Sequence, residues 1–435
     1  MSENFQWSSN SWSPDIMGKR ISNIILCYSS FADTADASFQ EKLMMHFAKQ
    51  VRCLEIDQRH LVKDKKRMSC LLGIIAGRVC LTPIKSEVET ILAIVISEAG
   101  KLLNNTGMHL SRQPQLHIEL LKILIEIRSL ASATISNARI DLEDLVSKMT
   151  ANAKFFRHGN GSIGKFNGGC SISKHWTEQI LKKADVQVKI SSKLTEDGYA
   201  RINSKLSTVI FDCGTPKTNW DNWSAGTLSF EFSHGKQMIV VNSGSNKIDS
   251  RWSIPLRSTS AHSSLIIDKR NSSSILNINE DSQIAHISER VVEKSNQGLL
   301  AHSTHDGFFS TYGIFHKRKL LLSNDGSSLE GEDELIYSGA PGKIPLEAEI
   351  RFHLGPNISA SKVFGGDILL RMTNGLGWNF NHKNGKSYIE DSIYIKNSTP
   401  LKIKQIIIRN PLSELRSKGS ITVRWCFTKP SKKKN

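Results

Sequence analysis

Near residue 190 this chain changes its hydrophobic period, and that change constrains its fold more than any other feature. Before it, apolar residues recur at helical spacing; after it, short alternating runs separated by turn residues take over. On the N-terminal side, Phe39, Leu43, Phe47, Val51 and Leu54 predict a helix over 37–54. The same spacing predicts helices over 67–80, 86–103, 115–131, 140–156 and 173–184. Val88, Ile91, Leu92, Ile94, Val95 and Ile96 make the 86–103 segment apolar almost all round, which predicts burial on most sides. Pro114 suits a first helical turn, where its missing N–H is not needed. Short connections predict antiparallel helical hairpins.

Beyond the change, strand signals run over 207–212, 227–232, 237–241, 264–268, 313–323, 348–354, 367–372, 387–395, 402–409 and 420–427, punctuated by Gly, Asn, Ser and Asp. Many strands with turns between them predict an antiparallel β-sandwich. The expected class is an α+β multidomain chain, helical over 1–190 and all-β over 191–435. Within the β part, 302–335 reads as two strands and a turn at Asn324, Asp325 and Gly326. In a strand, Phe308, Tyr312, Ile314 and His316 share one face. The stretch also holds His302, His305, the basic run 317–319 and the acidic run 330–334. It is either an edge hairpin with solvated charges or a set of histidines facing a site.

At 435 residues the chain is long enough for a sizeable core. Its formal charge of +16 suits an anionic partner, or equally a Lys-rich surface with the charge spread evenly. A dense basic run lies at 429–434. Nucleic-acid binding rests on charge alone, because no aromatic–basic interleaving supports it. The seven cysteines are scattered without a CxxC pair and read as free thiols. The first twenty residues lack the apolar core of a signal peptide, and no window is long and apolar enough for a membrane span, so a cytoplasmic chain is expected by default. There is no complete P-loop, GxSxG or HExxH, which argues against a P-loop nucleotide enzyme, a serine hydrolase or a zinc protease.

Two loops carry candidate chemistry. In 104–114, His109 and Arg112 stand just before a helix N-terminus, where backbone donors and a cation suit a carboxylate or sulfate; alternatively Ser111 caps the helix and Arg112 is solvated. In 155–169, glycine turns bracket Arg157, His158 and Asn160, or simply connect two helices. In the β part, His262 opens a strand.

These stretches together resemble a known family. HDGFFSTYGIFHKRKLLLSNDGSSLEGEDEL resembles the heparinase II/III family of polysaccharide lyases, whose β domain has an HDGY…HRR…LEGxD pattern. SRQPQLHIELL looks like the family's loop ending in SRNP, and FFRHGNGSIGKFNGG like its FFRHGDG…FNG. AGTLSFEFSHGKQMIVVNSG, RSTSAHSSLIID and RFHLGPNISA are similar to three successive blocks of its β half, so the likeness spans 12–410 and is nearest to a bacterial branch. It implies an α/α toroid followed by an antiparallel β-sandwich, with the toroid incomplete here because an N-terminal portion is missing relative to the family. It also implies β-elimination on an acidic, uronate-containing polysaccharide of the glycosaminoglycan kind. In that reaction the carboxylate is neutralised to stabilise an enolate-like transition state, a base takes the C5 proton, and an acid protonates the leaving oxygen. Carried over by position, His109 is the base or the carboxylate neutraliser, Arg112 holds the carboxylate, and His262 or Tyr312 supplies the proton. Arg157, His158, Asn160, Asn222, His305 and His316 are the substrate-contact candidates.

The departures are specific. The family's HxHxD-like block reads Asn222, Trp223, Ser224, Ala225 and Gly226 here, and Asn242 and Asn160 stand where relatives carry Asp. Residues 245–261 contain no Tyr. The structural zinc of some relatives is expected to be lost, leaving no cofactor. The expectation is therefore a lyase-type protein acting on acidic glycan, or an inactive relative that binds such a glycan or serves structurally in the envelope, where some relatives reside.

Overall fold

The computed structural model describes residues 8, 11–57, 65–135, 140–188, 192–246, 248–276, 282–373 and 375–430. Residues 431–434 of the basic run lie outside the described residues. The chain groups into two compact units that interleave in sequence. One comprises Met1–Leu110, His117–Asn152 and Gln179–Gln187; the other comprises Ser111–Leu116, Ala153–Glu178 and Val188–Asn435.

The helical unit follows the apolar periodicity. Helix Ala37–Asp57 buries Leu43, Phe47, Val51 and Leu54, the stripe read from sequence, while Phe39 stays exposed at its edge. Helices Lys65–Leu81, Lys85–Gly100 and Ile140–Phe155 lie close to their expected bounds. Helix Pro14–Leu26 was not anticipated, although Met17 and Ile21, four residues apart, are both buried on one face. It approaches Lys65–Leu81 through glycines: a Cβ on Gly18 would stand 2.0 Å from the Ser69 carbonyl oxygen, and one on Gly73 would stand 2.5 Å from the Gly18 Cα. Lys85–Gly100 corrects an expectation. Only Val88, Leu92, Val95, Glu98 and Ala99 are buried, one helical stripe, and Ile91, Ile94 and Ile96 flank it half-buried.

The β unit contains two antiparallel sheets. One runs Lys193–Leu194, Tyr199–Ser204, Ser207–Asp212, Phe230–His234, Gln237–Val241, Glu347–Leu354, Thr399–Pro411, Lys386–Lys396, with Leu265–Ile267 pairing onto Glu347–Leu354. The other runs Ile358–Lys362, Ile368–Met372, Gly377–Lys383, Ser420–Thr428, Ser328–Tyr337, Ile314–Ser323, Gly298–Phe308, Ile287–Lys294. Their inward residues form one core, in which Phe230 stacks on Trp425 at 5.5 Å and Phe352 meets Trp425 edge-on at 4.7 Å. Each such ring contributes about 1.5–3 kcal/mol by leaving water, so these aromatic pairs help bind one sheet to the other.

The stretch 302–335 differs from its expected form. It spans three strands, because a helical turn at Phe309–Tyr312, closed by Gly313 at φ +71°, divides the first two. Tyr312 is therefore not on the strand face with Phe308, Ile314 and His316. Phe308 and Ile314 are instead cross-strand partners, as are His305 and His316.

Candidate functional site

In Ile314–Ser323 the inward positions are Ile314, His316, Arg318, Leu320 and Leu322; in Ser328–Tyr337 they are Leu329, Gly331, Asp333 and Leu335. Strand alternation thus puts the polar members of both motifs inside the sandwich. Asp333 accepts from His316 Nε2 at 2.7 Å, Arg318 Nε at 2.7 Å, Arg318 Nη2 at 3.1 Å and Trp425 Nε1 at 2.8 Å. Gly331 is paired with Trp425, and a Cβ there would lie 2.0 Å from the indole, so glycine makes the room that lets Trp425 reach Asp333.

The histidine tautomers follow from their partners. The Gly307 amide donates to His305 Nδ1 at 2.8 Å, so the His305 proton sits on Nε2 and is donated to His316 Nδ1 at 3.2 Å. His316 Nε2–H then donates to Asp333. Burial, together with nearby positive charge, holds His305 well below its ordinary value, and His316 is also lowered by burial despite the pull of Asp333. Burial alone would raise Asp333, but the Arg318 charge and the imidazole bond outweigh it and hold the carboxyl low.

Arg318 carries the network to the other sheet, donating through Nη1 to the Leu228 and Ser263 carbonyls at 2.7 and 2.8 Å. The Ser263 amide donates to Asn242 Oδ1 at 3.0 Å, and Asn242 Nδ2 donates to the Lys165 carbonyl at 3.1 Å. The amides of Asn242 and Lys165 both donate to Glu231 Oε1 at 3.2 Å, and His158 Nε2–H donates to Glu231 Oε2 at 3.1 Å. Ser233 in turn donates to His158 Nδ1 at 2.9 Å. Lys165 Nζ bonds to the Ile395 carbonyl and lies 3.2 Å from the Tyr394 ring centre. Burial brings its ammonium down to about 7 against the pull of Glu231. His158, His305 and His316 thus belong to one buried polar network.

Arg112 sits in a second cluster. Its backbone is left-handed at φ +58° and its side chain is buried. Nε donates to the Asp197 carbonyl at 2.7 Å, Nη1 to the Thr215 carbonyl at 3.2 Å, and Nη2 to the Gly198 carbonyl at 3.2 Å and to Asp212 Oδ1. Asn167 Nδ2 bonds to Asp212 Oδ2 at 3.0 Å and to the Tyr199 hydroxyl at 2.6 Å, and that hydroxyl donates to the Arg112 carbonyl at 2.6 Å. The carboxylate that Arg112 holds is the protein's own.

The other candidates have separate partners. His262 Nδ1–H donates to the Ser258 carbonyl at 2.8 Å, and burial drives its imidazole down to about 4. A Cβ on Gly226 would come 2.6 Å from this ring, so the altered 222–226 block closes against His262 rather than offering it co-ligands. Among the described residues no three His, Cys, Asp or Glu side chains are grouped to hold a metal. Tyr312 bonds to Asp268, and burial with that bond pushes its hydroxyl up to about 12. Arg157 pairs with Glu178 at 2.7 Å. Asn160 Oδ1 accepts from the amide and hydroxyl of Ser162 at 2.8 and 2.6 Å, a local turn. Asn222 is exposed with φ +60°. His109 belongs to the helical unit, is buried, and bridges to Leu103. Arg112, His262 and Tyr312 therefore bond to Asp212, the Ser258 carbonyl and Asp268 respectively.

Sequence reasoning missed Lys165, Asn167, Asp212, Glu231 and Asn242 as network members. Lys165 and Asn167 lie in the quoted GKFNGG stretch, and Glu231 was readable as a lone charge between two core phenylalanines of the strand FEFSH, which is buried on both faces.

Residues 187–425 match the family model described as Heparinase II/III-like, C-terminal. The chain is 22% identical, over 454 aligned positions, to the FtsZ-localized protein C of Caulobacter vibrioides strain NA1000 / CB15N, covering 98% of this chain and 75% of that protein. Among solved structures it is similar to a heparinase III gene product, with a TM-score of 0.77 at 12% identity over 97% of this chain and 68% of that one. It is also similar to the heparan sulfate lyase HepC of Pedobacter heparinus, with a TM-score of 0.70 at 13% identity over 99% and 70%. At these identities the likeness to solved structures establishes the fold, helical hairpins followed by two antiparallel sheets.

Proposed function

Because this chain belongs to the heparinase II/III-like family, we propose that it binds an acidic, uronate-containing glycan on a lyase-type fold without carrying out β-elimination. The observation that supports this reading best is the engagement of Arg112. Elimination needs a cation or donors reserved for the substrate carboxylate, and the Arg112 guanidinium is turned inward onto Asp212 and three carbonyls. The chain's +16 charge favours an anionic ligand. The relative named for localisation with FtsZ, similar along 98% of this chain, supports placing this protein with FtsZ as a localised binder, which imaging a fluorescent fusion alongside FtsZ tests.

A second reading keeps the lyase chemistry. It is favoured by Tyr312, whose hydroxyl stays protonated as a donor requires, with His262 the other donor carried over by position. One experiment separates the two. The protein is incubated with a panel of uronate polysaccharides while ultraviolet absorbance of unsaturated ends and retention on the immobilised glycan are both followed. Retention without new absorbance is expected. Rising absorbance that His262→Ala abolishes would establish the lyase reading instead, and absence of both signals would remove the glycan from consideration.

A further inference from the structure

We infer that the β unit carries a further binding site, for an uncharged pyranose sugar, in a groove walled by Trp252 and floored by His353. The groove encloses about 540 Å³, within the range of small-ligand sites. One wall is Trp252, Pro255 and Leu256, at and just before the short helix Ser253–Arg257. The opposite wall is Ile393, Pro400 and Leu401, from the hairpin of Lys386–Lys396 and Thr399–Pro411. Between them lie Ser243, Ser260, His353, Ser392 and Gln405.

Two features set the ligand class. The first is charge. The only charged lining residues are Asp391 and Lys402, which pair at 2.9 Å, and Lys404 adds a second cation to Asp391 at 2.7 Å. Both lysines thus already face the Asp391 carboxylate, and although the rim keeps one net positive charge, a uronate carboxylate entering would have to compete with Asp391 for it. The second is the combination of an indole and apolar walls with a hydroxyl-bearing floor. Pyranose rings match this because one ring face is apolar while the edges carry hydroxyl groups.

The floor is pre-oriented. His353 Nε2–H donates to the Ser260 carbonyl at 3.1 Å, which leaves Nδ1 to accept from Ser392 Oγ at 2.6 Å. With its proton directed to His353, Ser392 Oγ is left as an acceptor for a ligand hydroxyl. Gln405 is fixed at both ends, Nε2 donating to the Asp391 carbonyl at 3.1 Å and Oε1 accepting from Arg351 at 3.3 Å. Burial, with nearby positive charge, keeps His353 neutral by lowering it to about 3, in keeping with a floor that carries no charge. Groups locked before binding lose little freedom when the ligand arrives.

This site goes beyond the acidic-glycan reading, since its ligand is neutral, and it stands if that reading fails. The test uses the full chain with N-acetylglucosamine, its β-1,4-linked dimer and glucuronic acid, each followed by calorimetry and by saturation-transfer NMR. Saturable binding of the neutral sugars, unaffected by raising the salt concentration, is expected, with glucuronic acid weaker. Trp252→Ala should weaken neutral-sugar binding at least tenfold with the melting temperature unchanged. If that variant melts early, Ser392→Ala, which removes the floor acceptor, should still weaken binding severalfold. Binding of uronate polysaccharide should survive in Trp252→Ala. The inference is overturned by absence of saturable neutral-sugar binding, by wild-type binding in both variants, by salt-sensitive preference for glucuronic acid, or by loss of both glycan classes in a folded Trp252→Ala.

Discussion

Replacing Arg112 separates a ligand-binding arginine from an internal one. The side chain is buried with four hydrogen bonds, one to the Asp212 carboxylate, which is itself buried. Removing the guanidinium in Arg112→Ala leaves Asp212 with only the Asn167 amide and the Gly214 N–H, and breaking one side of a buried pair costs about 3–5 kcal/mol. Burial already holds the Asp212 carboxyl above its ordinary value against the pull of Arg112, so part of the loss will be relieved by protonation. The backbone adds a second, separable effect. At φ +58° a Cβ is unfavourable by about 1 kcal/mol relative to glycine, so Arg112→Gly should be less destabilised than Arg112→Ala by that amount although it removes the same contacts. Combining Arg112→Met with Asp212→Asn should lose at least ~1 kcal/mol less than the sum of the single changes, because neither charge is then stranded. Urea unfolding followed by circular dichroism measures all five variants, the two single changes of the double included. The reasoning fails if Arg112→Ala unfolds at the wild-type urea concentration yet loses glycan binding, since Arg112 would then be a ligand for substrate.

Acid should weaken the fold in a defined window. Burial lowers His117 and His262 to about 4 and, with nearby charge, His353 to about 3, while the unfolded chain titrates near 6.5. The unfolded state therefore binds more protons below pH ~6.5, and the stability present above that pH is lost as pH falls toward the folded values, by up to about 1.4 kcal/mol per pH unit for each histidine. Melting temperature measured from pH 7.5 to 4.5 should fall steeply below 6.5, and a flat profile would refute the neutral assignment. Asp333→Asn should destabilise by about 3–5 kcal/mol, because it leaves the Arg318 guanidinium buried without its counter-ion; a small change in urea midpoint would show that Asp333 is not ionised. Gly331→Ala places a Cβ 2.0 Å from the Trp425 ring and should cost about 1–3 kcal/mol by overpacking, with a loss of near-ultraviolet dichroism as the indole moves; an unchanged tryptophan signal would contradict the packing described.

Hydrophobic period made the helices and most strands legible. Ser207–Asp212 and Gln237–Val241 fall on their expected bounds because each is a compact β-branched and apolar run. Strand Ile287–Lys294 escaped notice because ISERVVEK lies at the sheet edge with few buried positions and offers no sustained alternation. Helix Pro14–Leu26 escaped because its buried face, Met17, Gly18, Ile21 and Ser22, mixes two apolar side chains with a glycine and a serine, and the close backbone contact at Gly18 adds packing that no apolar pattern records. Residue types suited to a site were legible, but their partners were not. Arg112 meets Asp212 and His158 meets Glu231 across long sequence separations, and no local pattern states that a cation will turn inward.

The same limit explains why the polar residues of the most recognisable stretch proved to face inward. A motif that mixes His, Arg, Gly and Asp at alternate strand positions invites a catalytic reading, because those residues carry chemistry. Alternation also determines that they share one face, and in 302–335 that face is the sandwich interior. There a polar chain from Gly307 through His305, His316, Asp333 and Arg318 reaches the Leu228 and Ser263 carbonyls of the segments flanking the opposite sheet. Such a chain holds only in one strand register, since a shift by one residue would expose His316 and Asp333 and bury Lys317 and Glu334 in their place. Its contribution is to specify which packing of the two sheets forms, and a register-specifying network needs a sequence as particular as an active site does. His305 and His316 of this stretch thus have internal partners, and candidate ligand contacts are better sought at solvent-facing residues such as Trp252 and Asn222.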